Sequence, residues 1–179
     1  MEQMTTTLEL KSLDEQGRFA GYASMFGVVD NQKDVIERGA FATSLRQSLS
    51  KIKLLWQHQM DEPIGQIQRT FEDDKGLYVE GQLLLTVQRA REAYELIRAG
   101  AMEGLSIGYR PVHYHISPQT GVRHLTQVDL FEVSLVTFPA NEEANITVVK
   151  NEDGLPPSQL VALNDALSRA TQVLAFTPH

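Results

Sequence analysis

The chain contains no cysteine, and this absence excludes several kinds of chemistry. Disulfide bonds, thiolate nucleophiles and cysteine-ligated zinc sites all need that residue. Basic residues are the minority of the charges: 16 Lys and Arg stand against 23 Asp and Glu, for a formal net charge of −7. No basic stripe accompanies this balance, which argues against binding to a phosphate backbone. We therefore expect no nucleic-acid partner.

Long apolar runs are also absent. No stretch of the sequence is long enough to cross a bilayer. Residues 1–12 (MEQMTTTLELKS) lack the basic start and the apolar stretch of a signal peptide. The missing cysteines suit a reducing compartment. Together these absences predict a soluble intracellular protein without a membrane partner.

Short runs of strand composition, separated by turn residues, predict a mainly β fold with flanking helices, of the α+β class. Because turns join most of these runs, we expect an antiparallel sheet or barrel rather than a doubly wound parallel sheet. Residues 28–39 are polar and are predicted as a loop. Helical spacing of apolar residues predicts helices over 41–49 and 87–99. Strands are predicted over 5–12, 18–26, 51–56, 64–71, 77–85, 105–116, 123–138 and 145–150.

The composition changes near residue 150. Residues 1–150 are predicted to form the main domain, and 151–158 (NEDGLPPS) have the composition of a linker. Apolar residues at helical spacing follow, so residues 159–179 are predicted as an amphipathic helix with Ser158 as its N-cap.

Two side chains could serve as a base and a nucleophile. His58 follows a short apolar strand, where a general base would be both positioned and reachable. Ser106 lies in GLSIGY with Gly104 and Gly108 two residues away on either side. Glycines permit close approach of backbone, which a nucleophilic serine and its oxyanion donors need. The alternatives are a surface histidine in a polar loop and a core serine between bulges.

Glu132 is the third candidate, inside the strand-like run LFEVSLVTF. Strict alternation places it on one face with Leu130 and Ser134. Burial of this carboxylate would require a partner such as an imidazole, whereas a solvated strand face is the alternative. Asp129 would point to the opposite face and is the weaker candidate for the same role.

Three histidines raise the separate possibility of a metal. His113 and His115 would share a strand face, and His124 could approach them across a turn. No carboxylate or further ligand accompanies them, so the sequence predicts no metal.

Several segments in order resemble the prohead proteases of tailed bacteriophages. They are GYASMFGVVDNQKDVIERGAF (21–41), LLWQHQMDEPIGQI (54–67), GLYVEGQLL (76–84), GLSIGY (104–109) and LFEVSLVTFPAN (130–141). These enzymes are related to the herpesvirus assembly proteases, so the resemblance implies a small antiparallel β-barrel surrounded by helices, with residues 1–150 as the protease domain. It also implies a virion-maturation serine protease acting by acyl-enzyme hydrolysis.

The resemblance assigns roles to three residues. Ser106 matches the nucleophile and His58 the general base; Glu132 stands where the herpesvirus relatives have a second histidine. The sequence departs from the pattern at Gln59, where an acidic residue usually follows the histidine. Either Asp61 or Glu62 replaces that acid, or the acid serves only the loop. Backbone N–H groups near Gly108, or in the loop after Pro139, are the candidate oxyanion donors.

The family's biology implies the partners. The enzyme would cleave the scaffolding protein, or the scaffolding segment of the major capsid protein, and itself, inside the immature prohead in the host cytoplasm and without a cofactor. The helix at 159–179 would serve a homodimer, dock to the capsid or be removed by self-cleavage; packing on the barrel is the alternative. The competing hypothesis for the whole chain is an inactive structural or scaffolding protein with a protease-like barrel.

Overall fold

Nine strands and two α-helices make up the part of the chain that the computed structural model describes, residues 2–6, 12–30 and 32–137. The helices are α1 (Ala42–Leu45) and α2 (Gln88–Arg98), and a 3-10 turn covers Leu49–Lys51. The strands are β1 (Glu2–Thr6), β2 (Ser12–Leu13), β3 (Arg18–Met25), β4 (Asp34–Ile36), β5 (Lys53–Trp56), β6 (Gln59–Glu72), β7 (Gly76–Leu83), β8 (Gly104–Ile116) and β9 (Arg123–Val136).

The strands form one curled sheet. Their order is β1-β8-β9-β5-β6-β7-β3-β2, and β4 pairs with the start of β9. β3 approaches β1 and β8 without pairing to either, so the sheet curls towards a barrel. The predicted mainly β class is confirmed. The pairing is mostly antiparallel, but β4 and β5 both run parallel to β9, which the antiparallel prediction did not include.

The apolar core lies inside this curl. Alternate residues of β8 and β9 supply Leu105, Ile107, Val133 and Leu135, all at most 1% exposed. Helix α2 closes the core with one apolar stripe of Ala90, Ala93 and Ile97. Among the described residues, no helix is long and apolar enough to span a membrane.

Helix α2 lies within the predicted span 87–99, and it ends as the sequence indicates. Gly100 takes φ +70°, and its N–H donates to the carbonyl of Ile97 at 3.0 Å. A left-handed residue after the last turn is a common helix terminator, and glycine adopts it without strain.

Several boundaries differ from the sequence-based expectations. The predicted loop 28–39 contains β4, which is held by pairing with β9 rather than by its own three residues. The predicted helix 41–49 is only the single turn α1, with the 3-10 turn after it. Strand β6 starts at Gln59, five residues early, because a hairpin returns directly from β5. The predicted strand 145–150, linker 151–158 and helix 159–179 lie outside the described residues, as do residues 7–11 of the first predicted strand.

Candidate active site

Strand β9 brings together residues that are far apart in sequence. On one side it pairs in parallel with β5, with Leu55 opposite Ser134. On the other it pairs antiparallel with β8, with Ser106 opposite Ser134 and Gly108 opposite Glu132. Directly opposed residues of an antiparallel pair share a face of the sheet. Ser106 and Glu132 therefore lie on one face, next to the end of β5.

His58 occupies the two-residue turn that joins β5 to β6. Trp56 and Gln59 close this hairpin, and Gln57 and His58 between them have φ of 48° and 60°. Two successive positive φ values characterise type I′ turns, which normally use Asn or Gly. Histidine visits this region more readily than most residues, but glutamine is unfavourable there. The turn stores local strain at the site, as functional segments often do.

Bonds to the end of β9 hold this turn in place. The Gln57 N–H donates to the Leu135 carbonyl at 2.9 Å, and the Gln57 side-chain amide donates to Thr137 Oγ1 at 2.7 Å. The position of His58 is thus fixed by β9 as well as by its own hairpin.

The His58 ring contacts the Glu132 carboxylate. Nδ1 lies 2.6 Å from Oε1, and the two side chains are 13% and 4% exposed. A buried carboxylate acts as an acceptor, so it favours the tautomer with the proton on Nδ1. The lone pair of a neutral His58 is then on Nε2, where it can accept a proton from a nucleophile. The arrangement is that of a general base oriented by an acid.

Ser134 completes this network, and sequence reasoning gave it no role. Its Oγ accepts a hydrogen bond from the His58 backbone N–H at 3.1 Å and donates one to Glu132 Oε2 at 2.7 Å. Its spacing of two residues from Glu132 on a strand was the available signal, since such residues share a face.

A β-bulge at Phe131 corrects one part of the predicted alternation. Gly108 pairs with Glu132 but Tyr109 pairs with Leu130, so Phe131 is an extra residue in β9. The bulge places Leu130 in the core with Tyr109, on the face opposite Glu132. The prediction that Leu130 and Glu132 share a face is therefore wrong. Bulges of this kind often re-aim side chains next to active sites.

Gly108 leaves room for the acid. A Cβ at this position would lie 2.3 Å from Oε1 of Glu132 and 2.8 Å from its Cδ. The sequence predicts that this glycine permits close approach of backbone, and in the structure its missing side chain makes room for the Glu132 carboxylate. Donation to an oxyanion by N–H groups near Gly108 stays a prediction, and the alternative after Pro139 lies outside the described residues.

Ser106 is on the middle of this face and has no exposed surface. Its register partner across β8–β9 is Ser134, whose hydroxyl accepts a hydrogen bond from the His58 N–H. Its other neighbour in the sheet is Thr5 of β1, on the outer side of β8.

The other acidic candidates lie elsewhere. Asp129 pairs with Arg110 at 2.5 Å. Asp61 is exposed, and Glu62 lies 3.5 Å from Arg89. None of the three has a contact with His58 of the kind that Glu132 makes.

The three histidines of the distal β8–β9 hairpin do not form a metal site together. The rings of His115 and His124 stack at 4.9 Å, and His124 Nδ1 lies 2.7 Å from Glu37 Oε1. His113 is opposite Gln127 instead. Within residues 2–6, 12–30 and 32–137, no three His, Asp or Glu side chains are grouped so that they could hold a metal ion.

The sequence is similar to prohead proteases and to a capsid polyprotein of bacteriophages. The chain is 36% identical over 153 residues to the prohead protease of Enterobacteria phage HK97, covering 84% of this chain and 68% of that protein. It is 26% identical over 152 residues to the prohead protease of Escherichia phage T5, covering 81% and 71%. A capsid polyprotein of Pseudomonas phage PAJU2 is 37% identical over 156 residues, which are 83% of this chain but 22% of that protein.

A solved phage protein structure has a similar fold. The capsid assembly protease of bacteriophage T4 has a TM-score of 0.60 to this chain at 12% identity, covering 77% of this chain and 97% of that one. At this identity the likeness shows the fold alone. The sequence pattern of the caudovirus prohead serine proteases, in contrast, matches residues 6–154, which include β5, β8, β9 and the histidine turn. A match over most of the chain, containing the whole candidate site, shows that this chain belongs to the caudovirus prohead serine protease family.

Proposed function

We propose that the chain is a prohead-maturation endopeptidase in which Ser106 is the nucleophile, His58 the general base and Glu132 the acid that orients the imidazole. The 2.6 Å contact between His58 and Glu132, on the face of the sheet that also carries Ser106, is the observation that supports these roles. Family membership supports the reaction class.

The chemistry follows from this arrangement. Ser106 Oγ bonds to the carbonyl carbon of the scissile peptide while its proton passes to His58 Nε2. Glu132 stabilises the imidazolium that forms. Collapse of the tetrahedral intermediate breaks the C–N bond, and the leaving amine takes the proton from His58. Water then attacks the acyl-enzyme with His58 again as base, which releases the new carboxyl terminus and regenerates Ser106. No step needs a cofactor.

The substrate we propose is the scaffolding protein or the scaffolding segment of the major capsid protein, cut inside the immature prohead in the host cell. The similarity to prohead proteases and to part of a capsid polyprotein supports a capsid-related substrate. Autoprocessing, a homodimer and a herpesvirus-type barrel remain proposals, as does the division into a protease domain (1–150), a linker (151–158) and a helix (159–179).

The complete burial of Ser106 favours a second candidate, a structural protein that keeps the protease fold without the activity. A peptide carbonyl reaches a buried hydroxyl only after surrounding residues move. An enzyme that opens inside an assembled shell and a protein that never opens would share this closed arrangement.

Labelling with a fluorophosphonate tests the proposal without knowledge of the substrate. A reactive serine displaces fluoride and forms a stable phosphonyl ester. Inside purified proheads we expect the wild type to be labelled and Ser106→Ala not to be, whether or not the free chain reacts. Intact mass of the co-expressed capsid precursor should show a truncation only with the wild type. Absence of labelling and truncation inside proheads would favour the structural protein, and labelling of Ser106→Ala would exclude Ser106 as the nucleophile.

A further inference from the structure

We infer that Ser134 is a positioning residue, which holds the backbone of His58 and the carboxylate of Glu132 in one arrangement. This inference deepens the proposed function and rests on its assignment of His58 and Glu132. Ser134 acts through these two residues and is not assigned contact with the substrate.

The two hydrogen bonds of Ser134 have complementary directions. The single hydroxyl proton goes to Glu132 Oε2 at 2.7 Å, and the oxygen accepts the His58 N–H at 3.1 Å. The side chain has no exposed surface. Because a buried hydroxyl has little water to compete for these partners, the two bonds fix its position strongly.

The backbone and the imidazole ring of His58 both depend on the Ser134 hydroxyl. The backbone N–H of His58 binds it directly, and the ring binds Glu132 Oε1 while Ser134 holds Oε2 of the same carboxylate. Each carboxylate oxygen thus has its own partner, which sets the rotation of the carboxylate. His58 also has a positive φ, so its turn needs outside contacts to persist.

Removal of the hydroxyl would free both ends together. The turn would lose one of its bonds to β9, and the Glu132 carboxylate could rotate away from Nδ1. Small misplacements of a catalytic group are enough to lower a rate about 100-fold. Ser134→Ala should therefore impair the base, although the alanine itself fits the space of the serine.

Ser44 offers a matched control in the same chain. Its Oγ donates to the backbone carbonyl of Val128 at 2.7 Å, where Ser134 donates to a carboxylate, and accepts the backbone N–H of Leu130 at 2.9 Å. Ser44 is also buried, and it also binds β9, but from helix α1 and without contact to His58 or Glu132. Ser44→Ala should likewise remove one donated and one accepted hydrogen bond of a buried hydroxyl, but without affecting the base.

A double-mutant cycle on the full-length chain tests the inference. The rate of fluorophosphonate labelling is measured for the wild type, Ser134→Ala, Glu132→Ala and the double variant, in proheads if the free chain is not labelled. We expect Ser134→Ala to slow labelling about 10- to 100-fold. The effect should be smaller when Glu132 is already alanine, because only the bond to the His58 N–H is then left to lose. Ser44→Ala should label at the wild-type rate. Equal slowing by Ser134→Ala in both backgrounds would show that Ser134 does not act through the Glu132 carboxylate, and this result would overturn the inference.

Imidazole NMR gives a readout that does not need activity. Proton and nitrogen spectra of His58 should show an Nδ1–H held by Glu132 in the wild type and in Ser44→Ala. Loss or broadening of this signal in Ser134→Ala supports positioning, and an unchanged signal overturns it. Ser106→Ala separates the two hypotheses: if it labels like the wild type, the proposed function fails, whereas the NMR result for Ser134 still stands.

Discussion

Replacement of Gly108 by alanine should disable the candidate site while leaving the sheet intact. The new Cβ would lie 2.3 Å from Oε1 and 2.8 Å from Cδ of Glu132, distances that real Cβ atoms do not adopt. The nearest atoms belong to a side chain rather than to backbone, so the carboxylate moves and the strand stays. When it moves, Glu132 gives up its bonds to His58 and Ser134.

The expected change in stability follows from the hydrogen bonds that Glu132 loses and from the better strand propensity of alanine. Hydrogen bonds to a charged group contribute about 1.5–3 kcal/mol each, and Glu132 loses two. Alanine is better than glycine inside a strand by about 0.5–1 kcal/mol. The free energy of unfolding should therefore fall by about 2–5 kcal/mol. A catalytic histidine that loses its orienting acid becomes slower by about 10⁴-fold, so labelling of Ser106 should slow by up to that factor.

Gly81→Ala is the matched control. Its Cβ would meet the Phe19 ring, with Cζ at 2.5 Å, in a part of the sheet that does not touch His58. It should lower the unfolding free energy in urea but label normally when folded. In the Glu132→Ala background the clash at Gly108 is gone, so adding Gly108→Ala should no longer destabilise. Wild-type labelling by Gly108→Ala would refute the reasoning, because it would mean that the position of Glu132 does not matter.

Three further predictions concern stability, measured by urea unfolding. Gln57→Val should lower the free energy of unfolding by about 2 kcal/mol, because a β-branched residue resists φ 48°. Gln57→Asn should stay within about 1 kcal/mol of the wild type, because asparagine tolerates this conformation. Equal destabilisation by the two variants would show that the backbone conformation of residue 57 is not strained. Arg123→Ala should lower the free energy of unfolding by about 3–5 kcal/mol, because the carboxylate of Asp34, 1% exposed, loses its ion-pair partner. The double variant with Asp34→Ala and Arg123→Ala should lose less than the sum of the two single variants. Additive losses would show that the two side chains do not stabilise each other. Burial is the largest cause that raises the pKa of Asp30 above 3.8, and the charge of Asp34 adds to it, against backbone N–H bonds and Arg123. The folded state then binds the Asp30 proton more tightly than the unfolded state does, so this contribution to stability is lost as pH rises above about 4. Asp30→Asn should flatten that part of the pH profile, and an unchanged slope would contradict it.

The elements that sequence alone predicts are those whose own residues carry the pattern. Strand β8 and helix α2 are recognisable because their apolar residues recur at the period of a strand and of a helix, and Gly100 marks the end of the helix. Strand β4 was missed because its three residues are a strand only through pairing with β9. Tertiary contact, not local propensity, decides such a segment.

The candidate site likewise has features that the sequence indicates and features that only the structure shows. Ser106, His58 and Glu132 were selected from residue type, strand position and resemblance. The hairpin at Gln57 and His58 was not predicted, because neither residue is a usual signal for a turn of that type. The bulge at Phe131 was also missed, because one extra residue in a mostly apolar strand does not change the composition from which the strand is predicted.

The exposed fractions of the candidate residues bear on how a substrate reaches the site. His58 retains 13% exposure, Glu132 only 4%, and Ser106 none. The solvent-facing side of the site is therefore at the histidine turn, whereas Ser106 and Ser134 are both fully buried. A polypeptide would meet the turn first and reach the Ser106 hydroxyl only if the covering residues move. Ser134 and Thr137 fix the turn to β9 through hydrogen bonds to the His58 N–H and to the Gln57 side-chain amide. In the proposed reaction, activation would therefore have to expose the Ser106 hydroxyl to the substrate.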